Sequence, residues 1–309
     1  MDNFLIAVLA TAVTAGTPIF YAALGELICE RSGILNLGVE GIMLVGAVTG
    51  FMAGLAFKNP WIGLGVAMAA GGLMGLIHAF LCVSLRANQT VCGLALTIFG
   101  TGLSGYLGKD LVGIPLPSAF RPIDIPVLSQ LPVIGPILFQ HDILVLFSYA
   151  LAVLCWFILF KTRAGLNLRA VGDNPAAADS LGVNVYLIRY VSVIVGGILA
   201  GIGGAYISMA YVPTWMENMV AGRGWIAVAL VIFATWNPLN ALWGSAVFGG
   251  IDALGYRLQA VDVTISPYFL KSLPYLFTVF VLILVTQRNM VHRIGAPKAL
   301  SIPYDREER

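Results

Sequence analysis

The apolar positions of this chain fall in long uncharged runs rather than at every second or every third-to-fourth residue. Such runs occur at Phe4–Gly25, Trp61–Leu85, Ala87–Gly108, Ile143–Phe160 and Tyr190–Met216, and Ser32–Phe57 is interrupted only by Glu40. About 20 apolar residues cross roughly 30 Å of hydrocarbon as a helix, so each run predicts a membrane span. Gly224–Ile251 is also uncharged, but Asn237-Pro238 breaks it in the middle. Proline removes a backbone donor and disfavours helix in the residue before it. The stretch therefore reads as two crossings, one ending near Trp236 and one running from Leu239 to about Leu258. Leu273–Gln287 supplies the last. The expected fold is an all-α, polytopic transmembrane bundle of about nine spans, forming a single domain over residues 1–309.

Composition excludes a soluble alternative. Of 309 residues, 59% are hydrophobic and 10% charged, and the mean hydropathy is +0.90. Soluble domains carry about 25% charged residues, so this chain has too little polar surface to cover a water-exposed fold. The net charge of +2 points to no nucleic-acid partner. Cys29, Cys82, Cys92 and Cys155 form no CxxC pair, and His78, His141 and His292 are scattered, so no metal site is expected. The N-terminus lacks the basic start of a secretory signal, and Phe4–Gly25 reads as a retained first span.

Loop charge orients the bundle, because cytoplasmic loops are enriched in Lys and Arg. With the N-terminus outside and the C-terminus inside, Arg31, Arg86, Lys161, Arg163, Arg169, Arg189 and the basic tail 288–309 face the cytoplasm. Fewer basic residues face outward: Lys58, Lys109, Arg121, Arg223, Arg257 and Lys271. The loop 112–142 holds six prolines and is nearly free of base, so it belongs outside, in extended or turn structure. The loop 161–189 is basic at both ends and belongs inside. Within it, Asn174 suits an N-cap, Pro175 the first helical position and Gly182 a C′ stop, which predicts a helix of about seven residues. A short capped helix held between two spans is suited to docking in a partner's cleft. It could equally be a surface connector. The residues that would form this contact are Gly172, Asp173, Asn174, Pro175, Ala176, Ala177, Leu181 and Gly182.

Nothing in the chain reads as a nucleotide-hydrolysing site. Gly105-Tyr-Leu-Gly108-Lys109-Asp110 has the wrong spacing for a P-loop and lacks its Ser or Thr. If ATP drives this protein, a separate polypeptide hydrolyses it. Two acids lie well inside expected spans, Glu40 and Asp252, and neither has a basic partner at helical spacing. A charge near the bilayer centre costs about 2.5–3.5 kcal/mol on insertion scales, so it usually faces a cavity or a partner. Glu40 could line a substrate path, or could cap backbone groups where Gly33, Gly38 and Gly41 loosen the helix. Asn36 beside it, and Asn218 and Trp225 at the start of the span before Asn237-Pro238, are the other path candidates. Glu26 and Glu30 repel at i,i+4 spacing and are expected at the cytoplasmic boundary with Arg31 as a local partner. The repeats Gly46/Gly50/Gly54, Gly71/Gly75 and Gly197/Gly201 predict close helix packing.

The segment Glu30-Arg-Ser-Gly-Ile-Leu-Asn-Leu-Gly-Val-Glu-Gly-Ile-Met-Leu-Val-Gly-Ala47 resembles the signature of the permease subunits of bacterial ABC importers for branched-chain amino acids, simple sugars and nucleosides. The loop Arg169-Ala-Val-Gly-Asp-Asn-Pro-Ala-Ala177 with Leu181-Gly182 is similar to that family's ATPase-contacting segment. Leu273-Pro274-Tyr275 and the tail Ala296-Pro-Lys-Ala-Leu-Ser-Ile-Pro-Tyr304 resemble the branch paired with basic-membrane-lipoprotein binding proteins, although Ser301 stands where glycine is common. The resemblance implies a multi-pass permease of the bacterial inner membrane, not itself an enzyme and binding no cofactor, with ATP and magnesium held by the partner ATPase. It implies a second permease chain, identical or homologous, and a periplasmic or lipid-anchored solute-binding protein. Nucleosides or nucleobases are the implied substrates, with simple sugars or riboflavin as alternatives. A different class, an ion-coupled carrier using Glu40 and Asp252, and a passive channel are the rival readings.

Overall fold

Polar caps start most of the helices, and the apolar runs fill them. The computed structural model describes residues 2–126, 128–260, 272–273, 275–280, 283 and 295–307. In chain order the helices are α1 (Asp2–Arg31), α2 (Val39–Phe57), α3 (Pro60–Ala79), α4 (Gln89–Gly108), α5 (Ile143–Lys161), α6 (Arg163–Asp173), α7 (Pro175–Ser180), α8 (Val185–Tyr206), α9 (Arg223–Phe233) and α10 (Pro238–Ala260). Asn59, Asn88, Asn174 and Asn184 each accept a backbone N–H of the helix they open, and Asp142 accepts two at the start of α5. These bonds satisfy donors that a helix end otherwise leaves free. Among the described residues six helices are long and apolar enough to cross a membrane: Leu5–Arg31, Val39–Phe57, Pro60–Ser84, Gln89–Leu111, Ile143–Lys161 and Val185–Tyr211.

The bundle is built around α8, which packs against α1, α2 and α3. Backbone meets backbone there because the contact positions are glycine. A Cβ at Gly46 would lie 2.5 Å from the Gly201 carbonyl oxygen, one at Gly71 would meet the Gly197 oxygen, and one at Gly204 would meet the Met43 oxygen. The glycine repeats thus occupy the α2–α3–α8 seams, where small residues let helices approach closely. Gly16 and Gly249 do the same between α1 and α10.

The proline-rich loop forms a small cap at one end of the bundle. Its strands β1 (Pro122–Asp124) and β2 (Gln140–Asp142) pair antiparallel, Ile123 opposite His141. The loop is tied to the chain leaving α8: Leu116 N–H donates to Pro213 O, and Phe120 N–H to Met209 O. The opposite end gathers Arg31, Arg86, the α6–α7 segment, the start of α8 and residues 295–307. The basic loops expected on one side are therefore on one side.

The span count departs from expectation at α9. An 11-residue helix is only about 16 Å long, half of a crossing. The run Gly224–Trp236 is apolar enough for a span, but the chain before Arg223 is non-helical. Gly222, with φ +85°, marks the turn into the helix. The expected first span also runs on, α1 continuing to Arg31, and Ser32–Gly38 is irregular chain rather than the start of α2. The expected last span, Leu273–Gln287, lies partly outside the described residues.

Candidate functional site

Two places concentrate polar groups within this apolar bundle. The first is the N-terminus of α9. After α8 the chain passes Trp215, whose indole lies against Gly108 at the end of α4, and then turns inward to Gly222. The Glu40 carboxylate receives it: Gly222 N–H donates to Oε1 at 2.8 Å and Gly224 N–H to Oε2 at 2.7 Å. Glu40 sits well inside the bundle. Leu35 meets Gln89 at the start of α4, whereas Gly41 packs against Gly100, which is about 16 Å further along α4. The half-helix α9 then runs back to the Arg31 end, where Trp236 O accepts from Arg31 Nε and Nη2 at 3.3 and 3.0 Å.

A carboxylate at a helix N-terminus is favoured by the helix dipole and its free N–H groups. Glu40 supplies that charge from another span. Arg223 in the first turn of α9 pairs with Asp252 of α10 at 2.8 Å and donates to the Met219 and Val220 carbonyls. Asp252, without a partner along its own helix, thus finds one across the fold. Tyr275 O–H donates to Ala221 O at 3.1 Å and closes the turn. Arg223 is consequently an interior residue, not the outer-side charge that loop counting made it.

The other path candidates lie at different depths around this junction. Asn36 is 1% exposed, its Oδ1 accepting from Gly38 N–H at 2.9 Å and its own N–H donating to Glu26 Oε1 at 2.8 Å. Trp225 follows Gly224 directly and is half-buried, whereas Asn218 is exposed in the turn before Gly222, with φ +54°. The structure brings Glu40 and the residues preceding Trp225 together and leaves Asn218 at the surface of the turn. Glu26 and Glu30 are both buried, and Arg31 is not their hydrogen-bond partner. Glu30 Oε2 accepts from Trp236 Nε1 at 2.6 Å, while Arg31 bonds the Trp236 and Gly295 carbonyls. That tie between α1 and the α9–α10 junction was illegible in the sequence, since its members lie far apart in the chain.

The second place is the exposed helix α7. Asn174 Oδ1 accepts from Ala177 N–H at 3.0 Å, Pro175 takes the first helical position, and Gly182, with φ +82°, ends the helix with its N–H on Asp179 O at 2.9 Å. The cap, start and stop fall where the residue pattern puts them. Asp173, Asn174, Ala176, Ala177, Leu181 and Gly182 are exposed, Leu181 at 84%. Gly172 is different: it is buried, and a Cβ there would meet the Arg31 carbonyl oxygen. It serves the seam beneath the loop rather than the outer face. The amphipathic α6, capped by Thr162 on Gly165 N–H at 3.2 Å, was missed. The Thr162-x-x-Gly165 start was its available signal.

Six helices of membrane-crossing length among the described residues, with a half-length helix held at its N-terminus by Glu40 of α2 and a short helix exposed between two spans, make this a multi-pass membrane protein. Residues 8–286 match the family model described as the branched-chain amino acid transport system / permease component, and the chain belongs to that family. It is 39% identical over 99% of both chains to a Haloferax volcanii protein named "Putative glucose ABC transporter permease protein TsgC13". It is 36% identical to NupQ, the guanosine ABC transporter permease protein of Bacillus subtilis, over 98% of both. Over 98% of both it is 35% identical to NupC, the nucleoside ABC transporter permease protein of Lactococcus lactis. The chain is therefore an ABC transporter permease, a transport component rather than an enzyme.

Proposed function

We propose that this chain is one of two permease subunits of a nucleoside importer in the cytoplasmic membrane, energised by a separate ATPase and loaded by an external binding protein. The observation that carries the reading is the near full-length similarity to guanosine and nucleoside permeases, joined to an exposed capped helix on the basic end. In this reading α7 docks on the ATPase through Ala176, Ala177 and Leu181, with Asp173, Asn174, Pro175 and Gly182 shaping the helix. ATP and magnesium stay on the ATPase, and the chain binds no cofactor. Asn36, Glu40, Asn218 and Trp225 border the path, Glu40 by holding the half-helix in place.

The similarity to TsgC13 supports a second reading, a sugar substrate in the same architecture. Competition separates the two. In proteoliposomes holding the complete transporter, unlabelled guanosine or adenosine should suppress uptake of labelled guanosine, and glucose or riboflavin should not. Glucose uptake without guanosine uptake would replace the nucleoside assignment. An ion-coupled carrier is disfavoured because Glu40 is engaged by two backbone N–H groups and Asp252 by Arg223.

A further inference from the structure

The helix α7 is short and has little hold on the bundle. Among its six residues only Ala178 is buried. What Ala178 packs against is a small separate core of Val171 from α6, Val185 from α8 and Tyr304 from the tail. The Tyr304 ring also stacks at a tilt on Tyr186 of α8, centroids 5.8 Å apart. A residue far along the chain thus completes the only apolar cluster that fixes α7 among the described residues.

The tail is sewn into the same end along its length. Ala299 N–H donates to Gly172 O at 2.9 Å, and Ser301 N–H to Gly33 O at 3.1 Å. Arg189 of α8, itself buried, donates Nε to Ser32 O and Nη1 to Ile302 O, both at 3.3 Å. Beyond Tyr304, Asp305 pairs with Arg86 before α4, and Arg306 pairs with Asp179 of α7 at 3.0 Å. One segment therefore touches α6, α7, α8, the α1–α2 connection and the approach to α4.

We propose that residues 297–306 are a strap that makes α7 and the span ends move as one body, with Tyr304 as its anchoring and positioning residue. The proposal rests on the reading of α7 as the ATPase-docking helix. A docked helix of six residues transmits displacement only if something ties it to the spans. The strap does so through a packed ring, two backbone seams, the Arg189 bond to Ile302 O and an ion pair at the helix itself. The exposed ion pairs contribute little to stability, typically about 0–1 kcal/mol each. The ring and the seams carry the tie, and the charges fix its register.

The test uses the complete transporter in proteoliposomes and reads three quantities: ATPase retained on purification, ATP hydrolysis, and solute moved per ATP. Tyr304→Ala should keep the ATPase bound and hydrolysis within about twofold, while solute moved per ATP falls roughly fivefold, the scale of a coupling-network substitution. Tyr304→Phe keeps the ring and should stay much nearer the parent than Tyr304→Ala. Unchanged solute per ATP in Tyr304→Ala overturns the strap, and so does loss of the ATPase, which would make the tail part of the docking contact. If Tyr304→Ala fails to assemble, Asp305→Arg/Arg306→Asp sets like charges against both anchors and should lower coupling. Adding Arg86→Asp/Asp179→Arg should restore it, and failure to restore counts against the strap. Ala177→Arg in parallel separates the two readings: if the ATPase stays bound to that variant, the docking assignment of α7 fails irrespective of the strap.

Discussion

Glu40 shows what a single residue can and cannot tell. The insertion cost of a carboxylate in a span flags it from sequence alone. Its partner lies more than 180 residues away, so the sequence leaves path lining and capping equally open. The structure gives Glu40 two backbone N–H donors of another helix. Glu40→Ala would leave both donors unpaired in an apolar interior, at about 1–3 kcal/mol each. Glu40→Gln keeps an acceptor there. The expected outcome is that Glu40→Gln transports within a few-fold of the parent, while Glu40→Ala lowers the melting temperature of the purified chain and loses transport. A carrier that moves protons through Glu40 would instead be abolished by the glutamine. Gly222 is a second residue-scale test. Its φ of +85° and the Tyr275 hydroxyl where a Cβ would sit predict that Gly222→Ala destabilises by at least about 1 kcal/mol, read as a lowered thermal midpoint.

At the scale of elements, Asn174-Pro175 is legible as a helix start and Asn237-Pro238 as a break, whereas the same signal at Asn59-Pro60 was missed. Asn59-Pro60, Asn174-Pro175 and Asn237-Pro238 each open a helix, the asparagine capping and the proline taking the first position. Reading Asn237-Pro238 as a break was correct, yet it did not reveal that the helix before it is half-length. Apolarity reports which residues can sit in a membrane, and Gly224–Trp236 qualifies. It does not report where the backbone turns, which Gly222 and the Glu40 cap decide. The glycine repeats were legible as packing because small residues at that spacing serve few other purposes. Gly204→Val should prevent stable packing, since even a Cβ meets the Met43 carbonyl, and overpacking costs typically about 1–3 kcal/mol. Gly65→Val should be tolerated, nothing lying within 4 Å of a Cβ there. Purified yield and thermal midpoint in detergent distinguish the pair. For α7, Ala177→Arg or Leu181→Asp should leave the chain folded and reduce co-purified ATPase at least about tenfold, equivalent to about 1.4 kcal/mol of contact.

For the whole molecule, loop charge separated the two ends well. It placed the α6–α7 segment and the tail together, and the structure gathers them with Arg31, Arg86 and Arg189. It failed at Arg223, whose charge lies inside the bundle opposite Asp252, because a charge count cannot tell a loop from a polar junction within the membrane. The way the tail organises its end was also out of reach. Tyr304 reads as one residue of a motif, and only the fold sets it among Val171, Ala178 and Val185.

The role proposed for the chain is that of the membrane path of an ATP-driven importer. Its most direct test is uptake of labelled guanosine into proteoliposomes containing this chain, its partner permease and its ATPase, with binding protein outside and ATP inside. Accumulation against a gradient that needs both ATP and binding protein is the predicted result. Accumulation driven by an imposed proton or sodium gradient without ATP would contradict it.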